Sequence, residues 1–143
     1  MLQSALIGLV VSSAYTGVYW PDVIAGTLAV IGFVVLGAGL VLLLLGGAAL
    51  GRGFTPLPRP SDRGRLVERG VYSSVRHPVY GAVLLLSIGW SLVESPLGLV
   101  PAAFLAVLFD LKARLEEDLL AERYPPYAAY RERTQWRFLP GLY

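Results

Sequence analysis

A chain of 143 residues that is 55% hydrophobic and 15% charged falls well below the roughly 25% charge of an ordinary soluble domain, and its long uncharged runs read as integral to a membrane. It has no cysteine, which excludes disulfides and thiolate metal sites, and one histidine, which provides no histidine metal set. The net charge of +2 is small and the arginines flank apolar runs instead of forming a basic face, which argues against a nucleic-acid partner.

Leu2 to Trp20 is an uncharged run of 19 residues, about the length that spans a bilayer. It lacks a basic lead-in and a small-residue cleavage site, so it reads as a retained span and not a removable leader. Tyr15, Tyr19 and Trp20 cluster at its end as an interfacial aromatic belt, and Pro21-Asp22 marks a turn. Val23 to Gly51 is a second uncharged run, of 29 residues. As a helix it is about 43 Å long against a hydrocarbon core of about 30 Å, which predicts tilt or emergence at one end. Its glycines, Gly47 and Gly51 among them, let neighbouring helices approach closely.

Arg52 to Arg69 reads as a loop. Pro56, Pro58 and Pro60 forbid a helix, and Arg52, Arg59, Arg63, Arg65 and Arg69 make it basic. Val79–Val93 and Leu97–Phe109 are apolar runs of 15 and 13 residues, separated by Glu94-Ser95-Pro96. Together they read as a helical hairpin. Asp110 to Arg123 continues the last helix out of the bilayer, with Asp110 and Arg114, Lys112 and Glu116, and Arg114 and Asp118 spaced to share a face. Tyr124-Pro125-Pro126 ends it. Beyond, Tyr127, Tyr130, Trp136 and Phe138 alternate with Arg131, Arg133 and Arg137 in an interfacial segment.

All 12 lysines and arginines lie in two blocks, Arg52–Arg76 and Lys112–Arg137. Four spans put both blocks on one side, which the positive-inside rule makes cytoplasmic, and both termini with them. The expectation is an all-α, polytopic membrane protein: a single domain over residues 1–143 with four transmembrane helices, a C-terminal cytoplasmic helix and an interfacial segment.

Two polar stretches then share the cytoplasmic face. One is Gly70 to Ala82, with Tyr72, Arg76, His77, Pro78 and Tyr80. Read locally, Arg76-His77-Pro78 is a helix start, with an interfacial arginine, a capping histidine and a proline in the first turn. The other holds Lys112, Arg114, Glu116, Glu117 and Asp118. Adjacent acids stand about 100° apart on a helix, so one of Glu116 and Glu117 can face a site while the other pairs with Lys112 or Arg114.

The order and spacing of these pieces resemble the integral-membrane methyltransferases typified by isoprenylcysteine carboxyl methyltransferase and the phospholipid N-methyltransferases. The matching residues are Leu66-Val67, Gly70 and Tyr72, then Arg76-His77-Pro78-Val79-Tyr80, Glu116-Glu117 with Leu119-Leu120, Tyr127 and Tyr130, and Arg137-Phe138-Leu139-Pro140. The Thr55-Pro56 loop looks like that of bacterial members. Two departures stand out. The glycine after R-H-P comes one place early, in Tyr80-Gly81-Ala82, and the usual F-G-x-x-Y is shortened and stiffened to Tyr124-Pro125-Pro126-Tyr127.

The resemblance implies a prokaryotic inner-membrane enzyme with an S-adenosylmethionine pocket at the cytoplasmic face. Tyr72, His77, Pro78, Tyr80, Glu116 and Glu117 would line it. The two carboxylates suit the ammonium or ribose hydroxyls of the cofactor, and the tyrosine faces suit adenine or the sulfonium. Arg114, and beside it Arg76 or Arg137, would orient an anionic acceptor. The acceptor is a membrane lipid or lipophilic small molecule: a prenylcysteine-like carboxylate, a lipid amine, a quinone or another lipid. Oligomeric state is left open. The contrasting expectation is a non-enzymatic membrane scaffold that keeps the fold. A transporter is disfavoured, because charges are nearly absent within the spans.

Overall fold

The computed structural model describes residues 1–50 and 66–142. The proline stretch, Gly51, Arg52, Arg59, Arg63 and Arg65 lie outside the described residues. Five helices run in order: α1 (Leu2–Ser12), α2 (Asp22–Leu50), α3 (Pro78–Glu94), α4 (Leu99–Arg123) and α5 (Tyr127–Arg133). Among the described residues there is no strand, only isolated bridges between Val75 and Trp136 and between Leu139 and Leu142.

Each boundary has a local cause. The first apolar run does not continue as one helix to Trp20. After α1 comes a single 3₁₀ turn, Ser13–Tyr15, and then irregular chain. The hydroxyls of Ser12 and Ser13 donate back to the carbonyls of Leu9 and Val10 (3.1 and 2.7 Å), a bonding pattern that loosens a helix. Gly17, at φ +73°, then takes the left-handed conformation that glycine tolerates after a helix end. The Pro21 carbonyl accepts from the amides of Ile24 and Ala25 (both 3.0 Å) and opens α2, which carries Asp22 in its first turn, where the helix dipole favours an acid. Pro78 is the first residue of α3, a position where its missing N–H costs nothing. Ser95 separates α3 from α4. Its hydroxyl accepts from the Leu97 amide (3.3 Å) and donates to the Val18 carbonyl (2.6 Å). A 3₁₀ turn at Pro96–Gly98 then leads into α4.

Two helices, Asp22–Leu50 and Pro96–Arg123 (α4 with its leading turn), are long and apolar enough to cross a membrane. Leu2–Tyr15 and Pro78–Glu94 are apolar but shorter. Val30, Phe33, Val34, Leu40, Val41 and Leu44 of α2 are all exposed, as side chains meeting lipid are.

The chain forms two compact units, Met1–Val41 with Ala82–Leu108, and Leu42–Gly81 with Phe109–Tyr143. In the first, glycines bring α2 and α3 together backbone to backbone. A β-carbon on Gly32 would lie 2.8 Å from the Gly89 carbonyl oxygen, and one on Gly89 would lie 2.9 Å from that of Gly32. A β-carbon on Gly39 would lie 3.0 Å from the Leu86 amide nitrogen and 3.1 Å from the Ala82 carbonyl oxygen. The Trp20 indole donates to the Ser91 carbonyl (2.9 Å), tying the chain between α1 and α2 to α3.

Gly89→Ala therefore forces the two backbones apart and lowers stability by about 1–3 kcal/mol, the usual cost of overpacking. Gly26→Ala, which meets nothing within 4 Å, leaves the thermal midpoint of detergent-solubilised protein unchanged or raised. Equal effects of the two substitutions would contradict this packing.

Candidate functional site

The second unit builds a site from three segments that are distant in sequence. Gly70, at φ +63°, starts a 3₁₀ turn over Gly70–Ser73, and the amides of Ser74 and Val75 close on the Val71 carbonyl (3.1 and 3.0 Å). The next two residues extend along the C-terminal segment: the Arg76 amide donates to the Trp136 carbonyl (3.0 Å) and the His77 amide to that of Arg137 (2.8 Å). Pro78 then begins α3. The Tyr130 hydroxyl on α5 donates to the Tyr72 carbonyl (2.7 Å), and the Thr134 hydroxyl to the Ser73 carbonyl (3.4 Å). Gly81 abuts the Phe138 carbonyl so closely that a β-carbon there would collide with it. The glycine that stands one place early in the sequence marks the close approach of α3 to the C-terminal segment.

Glu117 of α4 is at the centre, with only 2% of its surface exposed. Its Oε1 accepts from Arg76 Nε (2.8 Å), His77 Nε2 (3.1 Å) and Arg137 Nε (3.3 Å). A carboxylate only accepts, so the histidine nitrogen facing it carries the proton. Arg76 Nη1 also donates to the carbonyls of Thr134 and Gln135 (2.6 and 2.8 Å). Arg137 reaches Asp110 Oδ1 (2.7 Å), whose second oxygen takes Arg114 Nε (2.8 Å). Glu117 thus pairs with cations from the other segments and not with Lys112 or Arg114.

Glu116 faces differently. Its Oε2 accepts from the Tyr80 hydroxyl (2.9 Å) and stands 3.8 Å from His77 Nδ1, with 27% of the side chain exposed. Tyr80 lies in a stack of rings, 5.5 Å from His77 and 4.7 Å from Phe109 between centroids. Phe138 meets His77 and Tyr80 edge-on, and the Lys112 ammonium sits 5.2 Å from the Tyr80 ring centre. Burial pushes the phenols of Tyr72, Tyr127 and Tyr130 up from their ordinary range, with the Glu116 charge adding to this at Tyr72 and the Glu117 charge at Tyr127. They are neutral hydrogen-bonding groups at physiological pH. The Tyr127 hydroxyl is buried without a hydrogen-bond partner.

Of the residues singled out in the sequence, Arg76, His77, Tyr80, Glu116 and Glu117 make this direct network, Pro78 starts the helix behind it, and Tyr72 is joined to it through Tyr130. Arg114, 59% exposed, is joined to it at the edge through Asp110. Sequence reasoning missed Asp110, Phe109 and the Tyr127 hydroxyl as members. Asp110 was visible as the first charge after an apolar run, but nothing in the sequence indicates that Arg137 reaches back to it. Among the described residues no three His, Cys, Asp or Glu side chains gather as metal ligands would.

A family model described as phospholipid methyltransferase matches residues 27–126, well over half of the chain. The chain belongs to the phospholipid methyltransferase family. The match covers α3, all of α4 and the site carboxylates Asp110, Glu116 and Glu117, and it stops just short of Tyr127. With its apolar helices, membership makes this a membrane protein of a methyltransferase family. The chain is also similar to the cobalt-zinc-cadmium resistance protein CzcN of Cupriavidus metallidurans, with 35% identity over 79 residues, 54% of this chain. That match takes in 36% of the relative's own length.

Removing the central carboxylate leaves buried cations uncompensated. Glu117→Ala is expected to cost about 3–5 kcal/mol, as breaking a buried ion pair does. Arg114→Ala, at an exposed pair, costs about 1 kcal/mol or less. Thermal unfolding of the two variants checks the contrast, and a Glu117→Ala protein as stable as wild type would contradict it.

Proposed function

We propose that the chain is an S-adenosylmethionine-dependent methyltransferase that modifies a lipophilic acceptor at the cytoplasmic face of a prokaryotic inner membrane. The observation that carries this reading is the buried Glu117 ion cluster beside the His77–Tyr80–Phe109 ring stack, in a chain of the phospholipid methyltransferase family. Four crossings, with α1 and α3 the short ones, would put both basic blocks on one side, which the positive-inside rule makes cytoplasmic.

The donor set fits the cofactor. Glu116, partly exposed and bonded to Tyr80, offers a carboxylate to an ammonium or a ribose hydroxyl. Of the stacked rings His77 and Phe109 are buried, and the half-buried Tyr80 is the one that would meet adenine or a sulfonium, a contact worth about 0.5–2 kcal/mol. The Tyr127 hydroxyl is a buried polar atom without a hydrogen-bond partner. Bound there, S-adenosylmethionine supplies an electrophilic methyl group. Methyl transfer by in-line displacement needs no nucleophilic side chain, so the protein's work is to orient and to exclude water.

The residues divide that work. Glu117 holds Arg76, His77 and Arg137 together and so fixes the wall of the site. Arg76, with its donors engaged inside the cluster, acts through position. Arg114, exposed and ion-paired with Asp110, would orient a carboxylate or phosphate of the acceptor.

The test is transfer of a labelled methyl group from S-adenosylmethionine to bacterial lipid extract by purified protein in detergent or vesicles. Wild type should yield labelled lipid. Glu116→Gln should lower cofactor affinity about 10-fold, the loss of one hydrogen bond to a charged group, with little change in thermal midpoint. His77→Ala should lower both. No transfer and no cofactor binding by folded protein would favour a scaffold that keeps the fold.

A further inference from the structure

Three donors surround Oε1 of Glu117, and the Tyr130 hydroxyl is engaged by the Tyr72 carbonyl. Among the described residues two buried side-chain polar atoms have no partner, the Trp90 indole nitrogen in the first unit and the Tyr127 hydroxyl in the second, and only the second lies in the unit that holds this cluster. Tyr127 opens α5 and is 1% exposed, yet its hydroxyl has no hydrogen-bond partner. Native structures satisfy the large majority of buried polar side-chain atoms, and leaving one unmade costs about 1–3 kcal/mol.

The surroundings of this hydroxyl narrow what it serves. Burial and the charge of Glu117 raise the phenol's pKa while Arg76 opposes, so the group lies within the field of the ion cluster. Its ring packs on Tyr130, 5.6 Å between centroids. Tyr130 in turn is pinned by its own hydroxyl bond to Tyr72, and the Tyr127 amide is fixed to the Tyr124 carbonyl (2.8 Å). The backbone and ring are thus anchored while the polar tip is left unmatched. A phenylalanine would fill the same space without the penalty. A preorganised, unpaired donor beside a charge cluster is the arrangement expected where a ligand completes the bonding.

We infer that the Tyr127 hydroxyl is a ligand-binding group, a hydrogen-bond partner for a polar oxygen or nitrogen of the methyl donor held beside the Glu117 cluster. This rests on the methyltransferase reading and adds a residue to it. Tyr127 is a binding and positioning residue, since it takes no part in bond making at the methyl group.

The test compares wild type with Tyr127→Phe in the full chain, by calorimetric titration with S-adenosylmethionine and S-adenosylhomocysteine and by thermal unfolding without ligand. The expected result is a ligand-free midpoint that is unchanged or raised, because an unmatched polar group has been removed. Affinity for both ligands should fall about 10-fold, one hydrogen bond's worth. Equal affinity in the variant overturns the inference while the methyltransferase reading stands. If folded wild type binds neither ligand, both fall. Should the variant fail to fold, fluorotyrosine placed at position 127 gives a second readout. Its ¹⁹F resonance should move on saturation with S-adenosylhomocysteine, and an unmoved resonance at saturation overturns the inference.

Discussion

The constraint on which the second unit depends is the burial of one carboxylate. Taking Glu117 out of water carries a penalty of several kcal/mol unless cationic donors replace the lost hydration. Those donors come from elsewhere in the chain: Arg76 and His77 just before α3, and Arg137 near the C-terminus. Arg76 is 41 residues from Glu117 and Arg137 is 20, so three distant segments must meet before the carboxylate is satisfied. The backbone bonds from Arg76 and His77 to the Trp136 and Arg137 carbonyls are the local record of that meeting. Gly81 makes it sterically possible, since any side chain there would collide with the Phe138 carbonyl.

The same logic runs through the first unit with a different chemistry. No ion cluster draws α2 and α3 together there. Gly32, Gly39 and Gly89 let their backbones come close enough for dispersion to hold them. In a membrane, where apolar side chains gain nothing by leaving lipid for protein, such contact is what packs helices. The serines at the helix ends, Ser13, Ser91 and Ser95, turn their hydroxyls onto backbone carbonyls, while the buried Trp90 indole nitrogen has no hydrogen-bond partner.

How much of this was legible in the sequence follows from the range of each signal. The bounds of α2, α3 and α4 are set by uncharged runs with prolines and acids at their edges, so reading along the chain finds them within a residue or two. The first run was misread to Trp20 because serine back-bonding and the left-handed Gly17 break a helix without any change in hydropathy. In the site, Arg76, His77 and Glu117 were visible as polar groups at the edges of apolar helices. Which carboxylate would be buried was not visible, because that depends on the rotation of α4 against segments far away in sequence. The Asp110–Arg137 pair and the orphaned Tyr127 hydroxyl are tertiary facts of the same kind, and no spacing rule along the chain encodes them.

On the proposed reading the Glu117 cluster walls a site for S-adenosylmethionine. Hydrogen–deuterium exchange of the detergent-solubilised chain, with and without saturating S-adenosylmethionine, tests it most directly. Bound cofactor should slow exchange in the peptides around residues 71–82 and 134–140, where the amides of Arg76 and His77 bond the Trp136 and Arg137 carbonyls, with the α1 peptides unchanged. Protection confined to other segments, or none in protein shown to bind the cofactor, would contradict it.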